Sequence, residues 1–146
     1  MYAAYDDLPE ETRRRIDGLQ VVHKYRSRRQ ITDVSTRPPE EMAAMPEATH
    51  PLVRTHPETG RRALYLNPNR MDRVVGLDEA ESDRLFDALI AHATQAKYQY
   101  RHAWRKGDIV IWDNRCTMHK ANADYPDGER RLMHRVIVAE IGRAHV

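Results

Sequence analysis

The chain has 146 residues, of which 40% are hydrophobic and 32% charged, with 24 Lys and Arg against 22 Asp and Glu for a formal charge of +2. That is enough chain for one domain with a real core and too little for two. It holds no run of about eighteen apolar residues to cross a bilayer, and its near-balance of charge gives no general reason to bind nucleic acid. The start, "MYAAYDDLPEETRRR", lacks the basic-then-apolar order of a secretory signal, and the lone Cys116 cannot close an internal disulfide, so a reducing, cytoplasmic setting is expected.

In chain order, "DDLPEETRRRIDGL" reads as a helix, with Asp7 as its cap, Pro9 in its first turn, acids ahead of bases to suit the dipole, and Gly18 as its stop. Over 13–29 the cations Arg13, Arg14, Arg15, Lys24, Arg26, Arg28 and Arg29 meet only Asp17. This run reads as a solvated helix face and charged loop, the alternative being a basic interaction module for an anionic polymer. Residues 30–50, "QITDVSTRPPEEMAAMPEATH", carry three prolines and little periodicity, which predicts a surface loop or lid with one short helix at 39–45.

From His50 the pattern changes. Strand-like runs at 51–55 and 62–67 flank a Pro-Glu-Thr-Gly turn at 57–60 and predict a hairpin. "GLDEAESDRLFDALIAHAT" predicts a helix capped by Asp78, with Glu81 three residues on and Leu85, Phe86, Leu89, Ile90 and Ala93 on one packing face. Three further runs read as strands: "KYQYRHAW" (97–104), with Tyr98, Tyr100, His102 and Trp104 on one face, "DIVIWD" (108–113), and "RRLMHRVIVAE" (130–140). The fold expected is mainly β with flanking helices, an antiparallel sandwich or roll.

The chemistry concentrates in 112–135, "WDNRCTMHKANADYPDGERRLMHR". Period-two alternation places Arg131, Met133, Arg135 and Ile137 on one face of the last strand and Leu132, His134, Val136 and Val138 on a packing face. The two guanidiniums then lie roughly 13 Å apart at about 3.3 Å per residue. If that face looks into a barrel, its two buried cations need anions, and the face of the strand itself carries none, so the partners expected are acidic ligands, since a guanidinium fork suits a carboxylate or a sulfonate. His119 sits one turn away, beyond "NADYPDGE", and would neighbour Arg131. On spacing alone a lone histidine is more often packed or surface-exposed than a ligand. Cys116 reads as a small packing residue, Trp112 and Tyr98 as core or pocket wall, and His134 as a hydrogen-bonded structural residue.

Three pieces, "HPLVRTHPETGRRALYLN", "HATQAKYQYRHAWRKGDIVIWDNRCTMHKANADY" and "RRLMHR", occur in an order and with separations that resemble the C-terminal half of the taurine dioxygenase / 2,4-dichlorophenoxyacetate dioxygenase (TauD/TfdA) family. The resemblance implies a double-stranded β-helix, or jelly roll, incomplete at its N-terminus. Residues 1–141 would be the C-terminal portion of that domain, with a helix and loop excursion at 1–49, strands and helix at 50–141, and a tail at 142–146. It further implies an iron(II)- and 2-oxoglutarate-dependent dioxygenase that hydroxylates a small acidic substrate with dioxygen, releasing succinate and carbon dioxide. His119 matches the distal histidine of the iron triad, Arg131 the clamp on 2-oxoglutarate, and Arg135 the residue that holds the substrate's acidic group in several members.

The chain departs from the family in two respects. His23, His50, His92, His102, His119, His134 and His145 are not followed two residues later by an acid, as the family's first two iron ligands require. His56-Pro57-Glu58 fits formally, but it lies in the "THPETG" turn and reads as a structural element. The "GGDT"-like segment is missing, and "MYAAYDDLP" resembles the helix that follows it, so the chain is expected to be a piece of a longer enzyme, weak in iron binding and turnover. Open strand edges would then favour a homo-oligomer. A catalytically inactive jelly-roll remnant is the alternative.

Overall fold

A computed structural model describes residues 1–30, 38, 40–41, 44–122, 126, 128 and 132–138. Among these residues lie helices α1 (Tyr2–Asp6) and α2 (Glu10–Ile16), strands β1 (Gln20–His23), β2 (Ala48–Pro51), β3 (Val53–Thr55), β4 (Arg62–Leu64) and β5 (Met71–Val74), and helix α3 (Glu79–Ala93). The expected single N-terminal helix is two. Asp7 is the C-cap of α1, not an N-cap, and Pro9 precedes α2. Gly18 then reverses the chain at φ 74°, a conformation open to glycine at no steric cost.

Strand β1 is the centre of an antiparallel sheet ordered β2-β1-β5, with Val21 opposite both His50 and Val74. Strands β3 and β4 form the predicted hairpin. Its turn closes where the His56 N–H donates to the Arg61 carbonyl (2.8 Å) and the Gly60 N–H to the His56 carbonyl (2.9 Å). Leu52, fully buried, carries the chain from one sheet to the other: its N–H donates to the Leu19 carbonyl and its own carbonyl accepts from the Tyr65 N–H, both at 2.9 Å.

Helix α3 begins as predicted, the Asp78 carboxylate accepting the Glu81 N–H at 2.7 Å. Its apolar stripe of Leu85, Phe86, Leu89 and Ala93 is buried against Ile16, Val21, Leu64, Met71 and Val74. Ser82 is also buried and accepts the Val74 N–H at 3.0 Å, which ties the helix to β5. The basic run finds its acids elsewhere in the chain. Arg14 pairs with Glu10, Lys24 with Glu47, Arg28 and Arg29 with Asp83, and Arg29 also with Asp87.

The strands expected at 97–104, 108–113 and 130–140 do not form among the described residues. Ala96–Tyr98 is a short 3-10 turn, and 99–122 and 132–138 have no ladder. Ile109 (87% exposed), Ile111 (91%) and Val138 (91%) face solvent, as do Leu132, His134 and Val136 of the presumed packing face. Alternation makes a strand only where a neighbouring strand pairs its N–H and C=O groups in a ladder, and no such ladder forms here among the described residues. The short helix expected at 39–45 lies partly outside the described residues, and a strand, β2, begins at Ala48 within the segment read as loop.

Candidate functional site: the 113–119 turn and its histidine lock

The segment leading to His119 is built around Asp113. Its carboxylate accepts the Arg115 backbone N–H (2.8 Å), Nη2 of the Arg115 guanidinium (2.7 Å) and Nε2 of His56 (3.0 Å). Its carbonyl accepts the Cys116 N–H and the Thr117 hydroxyl. The Arg115 guanidinium, with the bond from His56 behind it, holds the Asp113 carboxyl well below the usual carboxylate range.

His56 is buried, and its Nδ1 accepts the backbone N–H groups of Glu58 and Thr59, both at 3.3 Å. A nitrogen that accepts carries no proton, so Nε2 holds the hydrogen and donates it to Asp113. Glu58 turns the other way, to Nη1 of Arg115 at 3.0 Å. His56 and Glu58 are therefore a turn lock and not a ligand pair, as expected of the "THPETG" element.

Donor atoms of His56, Asp113 and Cys116 lie within 4.8 Å of one another, the one such trio among the described residues. It is not an open metal site, because the Asp113 oxygens are engaged by Arg115 and His56 and the His56 nitrogens by Asp113 and the turn.

His119 is exposed, its ring 4.9 Å from that of Trp112, which anchors to Asn114 through Nε1 (2.9 Å). Trp112 is thus a partner of the histidine and not a core residue, whereas Tyr98 packs at the core edge. Arg135 is exposed, and no hydrogen bond, ion pair or ring contact among the described residues joins it to His119; Arg131 lies outside the described residues. The described residues do not surround His119 with the further imidazole and carboxylate of an iron triad, so they do not by themselves fit the metal. The His56–Asp113 link escaped the sequence reading because 57 positions separate its members. The turn chemistry of "THPETG" and "WDNR" was its only local sign.

The profile of the Taurine catabolism dioxygenase TauD, TfdA family matches residues 1–137. The chain belongs to the TauD/TfdA family. The match takes in the first 49 residues as well as the pieces from His50 onward. The alpha-ketoglutarate-dependent 2,4-dichlorophenoxyacetate dioxygenase of Burkholderia sp. (strain RASC) is 38% identical over 135 residues, which cover 92% of this chain and 45% of that enzyme. The alpha-ketoglutarate-dependent sulfate ester dioxygenase of Pseudomonas putida is 37% identical over 148 residues, covering 94% of this chain and 47% of that one. Among solved structures, AAD-2 in complex with Mn(II) and N-oxalylglycine superimposes with a TM-score of 0.70 at 34% identity, covering 80% of this chain and 45% of that chain. The chain spans about half the length of the curated relatives it matches. Its TauD/TfdA membership accounts for the strands packed with helices, and no helix among the described residues is long and apolar enough to cross a membrane.

Proposed function

We propose that this chain is the C-terminal portion of a jelly-roll dioxygenase that uses iron(II), 2-oxoglutarate and dioxygen to hydroxylate a small organic acid. His119 supplies one iron ligand, Arg131 clamps the distal carboxylate of 2-oxoglutarate, and Arg135 takes the acidic group of the substrate. One oxygen atom enters succinate as carbon dioxide leaves, and the other becomes the new hydroxyl. The observation that carries this reading is the family match across 1–137, which includes all three residues.

The His56–Asp113 lock supports it, since it anchors the turn six residues ahead of His119 in sequence. The exposed Ile109 and Ile111 and their unpaired backbone support association between copies. The sequence supports a cytoplasmic setting, its single thiol having no disulfide partner.

A second reading, a non-catalytic remnant of the fold, is favoured by the incomplete ligand set around His119. Succinate formation separates the two. The whole reading frame that contains this chain is assayed with 2-oxoglutarate, iron(II) and a panel of taurine, aryloxyacetates and alkyl sulfates, beside its His119→Ala and Arg131→Gln variants. Turnover lost in both variants supports the enzyme, and no succinate with any acid supports the remnant.

A further inference from the structure

The histidines of this chain are held in different ways. His56, His92 and His102 are fixed through both ring nitrogens: His56 by Asp113 and the hairpin turn, His92 by the Ala4 carbonyl and Gln95, His102 by Asp108 and Tyr100. His23 is fixed by burial, which, with the His50 charge behind it, lowers its pKa to about 4. His119 is held in neither way. It is exposed, neither of its nitrogens has a hydrogen-bond partner among the described residues, and its ring contact is with Trp112, at 4.9 Å and 52° between planes. An imidazole held through its nitrogens has none to offer, whereas one held through its ring keeps both. Without that contact an exposed histidine would spread over its staggered χ1 wells. An aromatic pair at this distance favours one arrangement by roughly two- to tenfold.

Trp112 is itself tethered. Its Nε1–H donates to the Asn114 side-chain oxygen at 2.9 Å. Between the two rings the chain turns back on the Asp113 carbonyl, which accepts the Cys116 N–H at 3.3 Å. Met118 then packs against the core, while Thr117 and His119 on either side of it stay exposed. The turn and the Met118 anchor together return His119 to a residue seven positions earlier. An indole that served packing alone would belong to the core, but Trp112 is 37% exposed and stands outside the core cluster.

We propose that Trp112 is a positioning residue: it holds the His119 imidazole by its ring, in one orientation, with both nitrogens left open. This rests on the reading of His119 as a dioxygenase ligand, and adds what keeps that ring in place before anything binds to it.

Proton NMR of the iron-free chain tests the contact, and turnover tests its use. The His119 ring protons, assigned by their loss in His119→Ala, should show NOEs to the Trp112 indole and an upfield ring-current displacement. Trp112→Leu should abolish the displacement, and Trp112→Phe should keep it. In the whole reading frame, Trp112→Leu should lower kcat for succinate formation about tenfold, as loss of a support behind a ligand does, and leave the KM for 2-oxoglutarate as it was. Trp112→Phe should restore most of that loss, which a purely structural role for the larger indole would not allow. Phe86 signals report that each variant is folded, and where Trp112→Leu is not, the NOEs of the parent and the behaviour of Trp112→Phe decide. Random-coil positions for the His119 ring in the parent, the same positions in parent and Trp112→Leu, or full turnover in Trp112→Leu would overturn the proposal. A parent that forms no succinate would sink the dioxygenase reading instead, and the ring measurement would still decide the role of Trp112.

Discussion

His56 and Asp113 are bound side chain to side chain, Nε2 to Oδ2 at 3.0 Å, so that the hairpin turn after β3 holds the segment that leads to His119. Asp113→Asn keeps the shape and loses the charge on which both His56 and Arg115 converge. Leaving a buried imidazole with a weaker partner should cost about 1–3 kcal/mol in urea unfolding. A double-mutant cycle with His56→Ala should return a coupling of roughly 0.5–3 kcal/mol. Additivity of the two single changes would show that the contact holds nothing.

Stability should fall as the pH drops from about 6.5 toward 4, because of His23. Its folded pKa of about 4 lies below the ordinary histidine value of 6.5. Between those values the unfolded chain binds the proton and the folded chain does not, so acid favours unfolding. The full effect, about 3 kcal/mol at about 1.4 kcal/mol per unit, is an upper bound. Urea midpoints across this range should flatten in His23→Phe, and an unchanged slope would assign the loss to another group. Asp83, lowered to about 2 chiefly by Arg28, acts further down, its contribution being present above the ordinary carboxylate pKa and lost as the pH falls toward 2.

The loop after β1 is held to α3 chiefly by the Asp83 carboxylate, with Asp87 as a second partner of Arg29. Asp83 accepts both arms of Arg28, at 2.7 and 2.8 Å, and Nη1 of Arg29 at 2.5 Å, while the Arg29 guanidinium lies 5.5 Å over the Phe86 ring. Isolated surface pairs give about 0–1 kcal/mol, and a bidentate, shared carboxylate belongs at or just above the top of that range. Asp83→Ala should therefore destabilise by about 1–2 kcal/mol at low salt, and the difference should shrink in 1 M NaCl as charges are screened. A salt-independent loss would point to packing of Arg29 on Phe86 instead.

What could be read from sequence was what rests on neighbours in sequence. The Asp78 cap, the stripe on α3 and the Pro-Glu-Thr-Gly turn are local signals, and each stands where expected. The strands β1 and β5 were missed because "QVVH" and "MDRV" are four residues long, buried on both faces or bulged, and so show no clean alternation. "DIVIWD", a continuous β-prone run, and the alternating "RRLMHRVIVAE" went the opposite way: both read as strands, but a ladder depends on a partner strand that no local pattern reveals. His119 is singled out only by the family resemblance, since one exposed imidazole beside a tryptophan has no chemical signature of its own. The unpaired Nε2 of buried His23, by contrast, is a feature that only the fold displays.

Metal should contribute nothing to the stability of the chain taken alone. A ligand bound to the folded state stabilises it by RT ln(1 + [L]/Kd), about 2.7 kcal/mol at a hundredfold excess over Kd. Tight iron(II) binding would therefore raise the unfolding midpoint by several degrees, and chelation would reverse it. One exposed histidine cannot supply this, and the His56, Asp113 and Cys116 trio is closed by Arg115 and the hairpin turn. Thermal unfolding of the chain with anaerobic iron(II), then with excess chelator, should superimpose, and His119→Ala should behave as the parent does. A midpoint that rises with iron and falls back in His119→Ala would mean that residues outside those described complete the site. A rise that survives His119→Ala but not Asp113→Asn would place the metal in the trio, and the turn lock would then be a metal site held shut by its own hydrogen bonds.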